Sequence, residues 1–192
     1  MLKRTLLALA LALAATVPAF AHLDPAEHGS FAAGFSHPLF GLDHILAMVA
    51  VGLWAATQGG RGLWLVPAAF VGTMALGFAA AIAGLPLPFV EPVILASVIF
   101  IGIAIALALP IPTAAVAALV GFFAFFHGHA HGGELGEAGA WDFALGFVIA
   151  TAVLHAAGIA LGLLCARFGG KVVNRVAGAA TALGGLWLAF GA

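Results

Sequence analysis

The chain has 192 residues, 65% of them hydrophobic and 7% charged, with a mean hydropathy of +1.23. That composition excludes an ordinary soluble domain and points to an all-α, polytopic membrane protein. A formal net charge of -1 without a basic patch argues against a nucleic-acid partner. The single cysteine, Cys165, excludes an intrachain disulfide and any cysteine-based zinc site.

The first 21 residues read as a cleaved signal peptide. Lys3 and Arg4 form a charged leader, Leu6 to Val17 an apolar run, and Ala19-Phe20-Ala21 an A-x-A cleavage site. The remainder, 22–192, is expected to be a single transmembrane domain of six helices. A short polar lead, His22 to Gly29, precedes them. The expected spans are 38–57, 63–83, 90–109, 113–126, 141–166 and 172–190. Gly59-Gly60, Gly84, Pro86, Pro88, Pro110 and Pro112 mark the turns between them. The segment 127–140 reads as a polar loop, part of which can continue the short fourth span. Trp54, Trp64, Trp141 and Trp187 fall near span ends and read as interface anchors.

Beyond the leader, the basic residues are Arg61, Arg167, Lys171 and Arg175, all in or beside one set of alternate loops. The acidic residues Asp24, Glu27, Glu91, Glu134, Glu137 and Asp142 fall on the other side. By the positive-inside rule the basic side is cytoplasmic. The expected location is a bacterial inner membrane, with the mature N-terminus and the C-terminus both periplasmic.

One carboxylate, Asp43, lies within a span, next to His44 and six residues after His37. With Pro38 in the first turn of a helix, His37 and His44 lie on nearly one face, about 10 Å apart along its axis. An ionised aspartate in hydrocarbon is expensive and marks a site or a partner. Two imidazoles and a carboxylate suit a borderline divalent cation such as Ni, Co or Zn. The structural alternative makes His37 a cap and Asp43 and His44 bonds to neighbouring helices.

A second cluster reads His127-Gly128-His129-Ala130-His131-Gly132-Gly133-Glu134. In a helix His127 and His131 share a face, with Glu134 one turn further; extended, the three imidazoles share one side. By topology both clusters face the periplasm, so they can meet. His155, about 21 Å along the fifth span, is either an inner waypoint or a histidine bonded within its helix. His22 offers an imidazole and, after cleavage, an amine. Glu91 and Asp142 read as solvated carboxylates at span ends.

These paired motifs, His37 followed by Asp43-His44 and Gly52-Leu53-Trp54-Ala55, then Phe126-His127-Gly128-His129-Ala130-His131-Gly132-Gly133-Glu134, resemble the HupE/UreJ family of nickel and cobalt permeases. The resemblance spans essentially the whole mature chain. It implies uptake of Ni²⁺ or Co²⁺ from periplasm to cytoplasm for hydrogenase or urease maturation, by a carrier or facilitator rather than an enzyme. It also implies metal ligation by His37, Asp43, His44, His127, His131 and Glu134, with His129, His155 and His22 as secondary candidates. No prosthetic group is expected. The partners are the transported ion and the bilayer, with a homo-oligomer left open. No phosphate-binding G-x-x-x-x-G-K-[ST] loop is present, which removes that route to ATP hydrolysis. The rival readings are a membrane-embedded zinc hydrolase and a bis-histidine haem protein using His44 and His155.

Overall fold

The computed structural model describes residues 30–135, 139–168 and 170–191, with residue 134 described for its backbone alone. The expected signal peptide, His22, His28 and Glu137 lie outside these residues. Seven helices account for most of the described chain: α1 (Phe31–Phe40), α2 (Leu42–Gln58), α3 (Gly62–Ile82), α4 (Val90–Ala106), α5 (Thr113–Glu134), α6 (Ala140–Phe168) and α7 (Gly170–Phe190). The protein is all-α, and α3, α5, α6 and α7 are each long and apolar enough to cross a membrane. The pair α1 and α2 qualifies only when taken together, and α4 is apolar but has 17 residues.

The expected first span is two helices. Pro38 lies inside α1 rather than opening a span, and α1 and α2 meet at 82°. Proline cannot donate to the helix ladder and its ring crowds the carbonyl four residues earlier, which weakens α1 near its end. Gly41 then adopts an extended backbone, φ −81° and ψ 115°, and the helix restarts at Leu42. At its other end α1 is capped by Ser30, whose hydroxyl accepts a hydrogen bond from the Ala33 N–H at 3.1 Å.

The expected fourth span is longer than 113–126. Helix α5 continues through the histidine segment to Glu134, so His127, His129 and His131 are helical rather than in a loop. The reason is packing. A side chain on Gly128 would fall on the Met74 carbonyl of α3, and one on Gly77 of α3 would fall on the Phe125 carbonyl. Small residues let these two helices lie backbone to backbone through the histidine segment.

The same device recurs. Gly34 of α1 and Gly146 of α6 face the Phe143 and Phe31 carbonyls. Gly52 of α2 and Gly158 of α6 face the His155 and Val49 carbonyls. Gly102 of α4 and Gly178 of α7 meet the backbone at Ala182 and Ala106. Helix α6 is thereby held against both α1 and α2. The core between these helices contains Met48, Leu53, Trp54, Phe70, Met74, Ile101, Phe143 and Phe147.

Three tryptophans follow the anchor reading and one does not. Trp141 is 81% exposed, and Trp64 and Trp187 are also exposed, whereas Trp54 is 1% exposed. Trp54 instead packs against Phe100 of α4, ring centroids 6.4 Å apart. It also lines a cavity of about 420 Å³ with Gln58, Ile105, Lys171, Asn174 and Arg175. The basic residues Lys171 and Arg175, both exposed, therefore border an open pocket, and the Arg175 Nε–H donates to the terminal carbonyl of α4, Ala106 O, at 2.7 Å.

Candidate metal centre

Three helices bring one imidazole each to a single point. His37 comes from the end of α1, His44 from the first turn of α2 and His131 from the last turn of α5. One ligand nitrogen from each lies within 4.8 Å of the others. His44 Nε2 and His131 Nε2 are 2.5 Å apart. The His37 ring stands edge-on to both, with centroids 5.5 Å from His44 and 4.5 Å from His131. Metal–nitrogen bonds of about 2.0–2.1 Å in a tetrahedral site set donor nitrogens about 3.3 Å apart, between the closest and widest spacings of this group.

The 82° bend makes this convergence. On one straight helix His37 and His44 would stand two turns apart, about 10 Å along the axis. Folding α1 across the start of α2 turns that axial separation into ring contact. Gly41, at the corner, must be small: a Cβ there would stand 2.8 Å from His44 Nδ1 and 2.9 Å from Asp43 Oδ1.

Asp43 supports His44 directly. Its Oδ1 lies 2.9 Å from His44 Nδ1, an ion-pair contact rather than an aligned hydrogen bond, and His44 Nε2 is left facing the cluster. A carboxylate behind a ligating imidazole fixes the ring and raises its basicity. Asp43 also sits in the first turn of α2, where the helix dipole favours negative charge. Phe147 and Phe143 of α6 wall the cluster: Phe147 packs on His131 at 4.6 Å between centroids, and Phe143 on His37 at 6.0 Å.

The family model described as HupE / UreJ protein matches residues 9–188. The chain belongs to the HupE/UreJ family. It is similar to Protein HupE of Rhizobium leguminosarum bv. viciae, 48% identical over 182 residues, covering 93% of this chain and 94% of the relative. No solved structure matches it.

The remaining expected site residues of this HupE/UreJ chain are placed apart from the three imidazoles. His127 is one turn deeper along α5, fully buried, with its ring 5.7 Å from His44. Its Nε2 lies 3.1 Å from Ser97 Oγ of α4, and that hydroxyl also lies 2.6 Å from the Ile94 carbonyl. The serine proton goes to the carbonyl, so Ser97 Oγ accepts from the His127 Nε2–H. Nδ1 of the neutral ring then carries the lone pair, and it has no hydrogen-bond partner among the described residues. His129 points elsewhere: its Nε2–H donates to Leu85 O at 2.7 Å, in the turn after α3. The side chain of Glu134 lies outside the described residues. His155 is buried in α6 beside Phe70, ring centroids 4.9 Å apart, and is not among the three converging imidazoles.

Sequence reasoning passed over Ser97 and the aromatic wall in this HupE/UreJ chain. Apart from Glu91 at its start, Ser97 is the one polar residue in α4, and such a residue inside an apolar run signals a buried partner. Phe143 and Phe147 carry no such signal.

Proposed function

We propose that this membrane protein is a permease that takes Ni²⁺ or Co²⁺ from the periplasm to the cytoplasm, supplying hydrogenase or urease maturation. The observation that carries the reading is the convergence of His37, His44 and His131 from three helices, with Asp43 behind His44. Membership of the HupE/UreJ family supports it. Nitrogen donors with one carboxylate suit these borderline cations better than Mg²⁺ or Ca²⁺, which prefer all-oxygen sites.

The permease spans the bacterial inner membrane six times, with α1 and α2 together forming the first crossing. The cluster lies near the periplasmic end of the bundle, where Glu91 and Asp142 begin α4 and α6. Arg61, Arg167, Lys171 and Arg175 lie at the cytoplasmic end. His37, His44 and His131 replace part of the hydration shell of the arriving ion. Asp43 offsets part of its charge, which hydrocarbon would otherwise oppose. Transport then needs an affinity high enough to select the ion and low enough to release it. The chain works as a facilitator or secondary carrier.

The test is radiotracer uptake into proteoliposomes containing the purified protein, with Ni²⁺ and Co²⁺ in competition and with or without a proton gradient. Saturable uptake of either ion above empty liposomes is expected. No uptake of either ion under any gradient would overturn the permease reading.

A further inference from the structure

Two buried imidazoles lie outside the three-histidine cluster, and both have nitrogens without a hydrogen-bond partner among the described residues. His127 leaves Nδ1 unpartnered, and His155 leaves both ring nitrogens so. His155 is 1% exposed and lies about halfway along α6. The hydroxyl one turn before it, on Thr151, is engaged with Met74 Sδ at 3.8 Å. A buried polar ring that makes no hydrogen bond is costly, and it cannot be serving as hydrogen-bonded glue between helices. An apolar side chain would pack there at lower cost.

Its position adds a second observation. His155 and His127 pack on the same ring, Phe70, at centroid distances of 4.9 and 5.6 Å. His127 in turn stands 5.7 Å from His44 of the outer cluster. On the other side, the His155 backbone lies against Gly52 of α2. Two residues further along α2, Trp54 lines the 420 Å³ cavity shared with Lys171 and Arg175. A line of imidazoles thus runs from the cluster inward, and His155 is its last member before the cavity.

We propose that His155 is an inner station for a borderline divalent cation, reached from the outer cluster by way of His127 Nδ1. This rests on the permease reading and deepens it. The neutral imidazole supplies a nitrogen donor at a depth where water does not compete, and the polarisable Met74 thioether lies one turn away, 3.8 Å from Thr151 Oγ1. The cavity beyond is lined by two basic side chains and no carboxylate, so it favours release of a cation over retention.

The test is the metal stoichiometry of the purified full-length protein, titrated with Co²⁺ in equilibrium dialysis and paired with Co²⁺ uptake in proteoliposomes. The wild type should bind two ions per chain. His155→Gln keeps a hydrogen-bonding side chain but is a poorer ligand for these cations. It should bind one ion and transport at least about tenfold more slowly, and His155→Phe should behave alike. A folded variant that still binds two ions, or transports within about twofold of wild type, overturns the inner station. A wild type that transports Co²⁺ but binds one ion per chain overturns it too, leaving the permease reading in place. A wild type that neither binds nor transports overturns the permease reading, and the inner station with it.

Discussion

His44 and His131 stand 87 residues apart in the chain and meet Nε2 to Nε2 at 2.5 Å. The contact joins the first turn of α2 to the last turn of α5. Two imidazoles facing each other through their Nε2 atoms, one backed by a carboxylate, are the centre of the proposed metal site.

Asp43 separates a metal-supporting charge from an interhelical tie. Asp43→Asn keeps the shape and a hydrogen-bonding group but removes the charge. As a tie, its loss would cost near the ~0.6 kcal/mol typical of interhelical hydrogen bonds. As support for His44 against a divalent ion, its loss should reduce Ni²⁺ and Co²⁺ uptake at least about tenfold with normal expression. Groups that hold a metal-ligating side chain in place typically matter by about 10–100-fold. Uptake by the folded variant within twofold of wild type would assign Asp43 to structure alone.

Gly41 tests the corner. A Cβ at this position would press on both His44 Nδ1 and Asp43 Oδ1. Gly41→Ala should fold, since the backbone there, φ −81° and ψ 115°, is open to any residue. It should weaken metal binding by displacing the pair, measured as a right-shifted Co²⁺ titration. Unchanged affinity would mean that the pair tolerates the displacement and that its spacing is unimportant.

Gly128 and Gly72 form a matched contrast. At Gly128 a methyl group would fall on the α3 backbone, whereas at Gly72 it meets nothing within 4 Å. Gly128→Ala should force α3 and α5 apart and shift His127 and His131, lowering both the melting temperature in detergent and uptake. Gly72→Ala should leave both within error or raise the melting temperature slightly, as alanine favours helix over glycine by about 1 kcal/mol. Equal behaviour of the two variants would refute the close-packing account of α5.

How much was legible follows from what is local. Apolar runs of about twenty residues announce α3, α6 and α7 because a bilayer admits little else of that length, whereas α5 was announced only by its apolar first part, 113–126. The pairing of the histidine segments was legible from charge placement, which put both on one side. Helix α1 was not legible: Phe31–Phe40 is short, holds a proline, and is stabilised by Gly34 and Gly146 packing against α6, a contact made over a hundred residues away. Trp54 looked like an anchor from its place near a span end, yet α4 covers it. His129 was read with its neighbours, but two residues turn a helix by about 200°, so it faces away from His127 and His131.

Topology provides an independent check on direction. A reporter fused after Ala192 should be periplasmic, and one inserted beside Arg167 cytoplasmic. A cytoplasmic C-terminus in the signal-cleaved protein would require an odd number of crossings and would reverse the side on which the histidine cluster or the termini lie.

The most direct measurement is X-ray absorption at the nickel edge on the purified protein loaded with one equivalent of Ni²⁺. Three imidazole nitrogens at about 2.0–2.1 Å are expected in the first shell. The imidazole count should fall to two in His44→Ala and in His131→Ala. A spectrum without imidazole scattering, or one unchanged by either substitution, would contradict a site built from His37, His44 and His131.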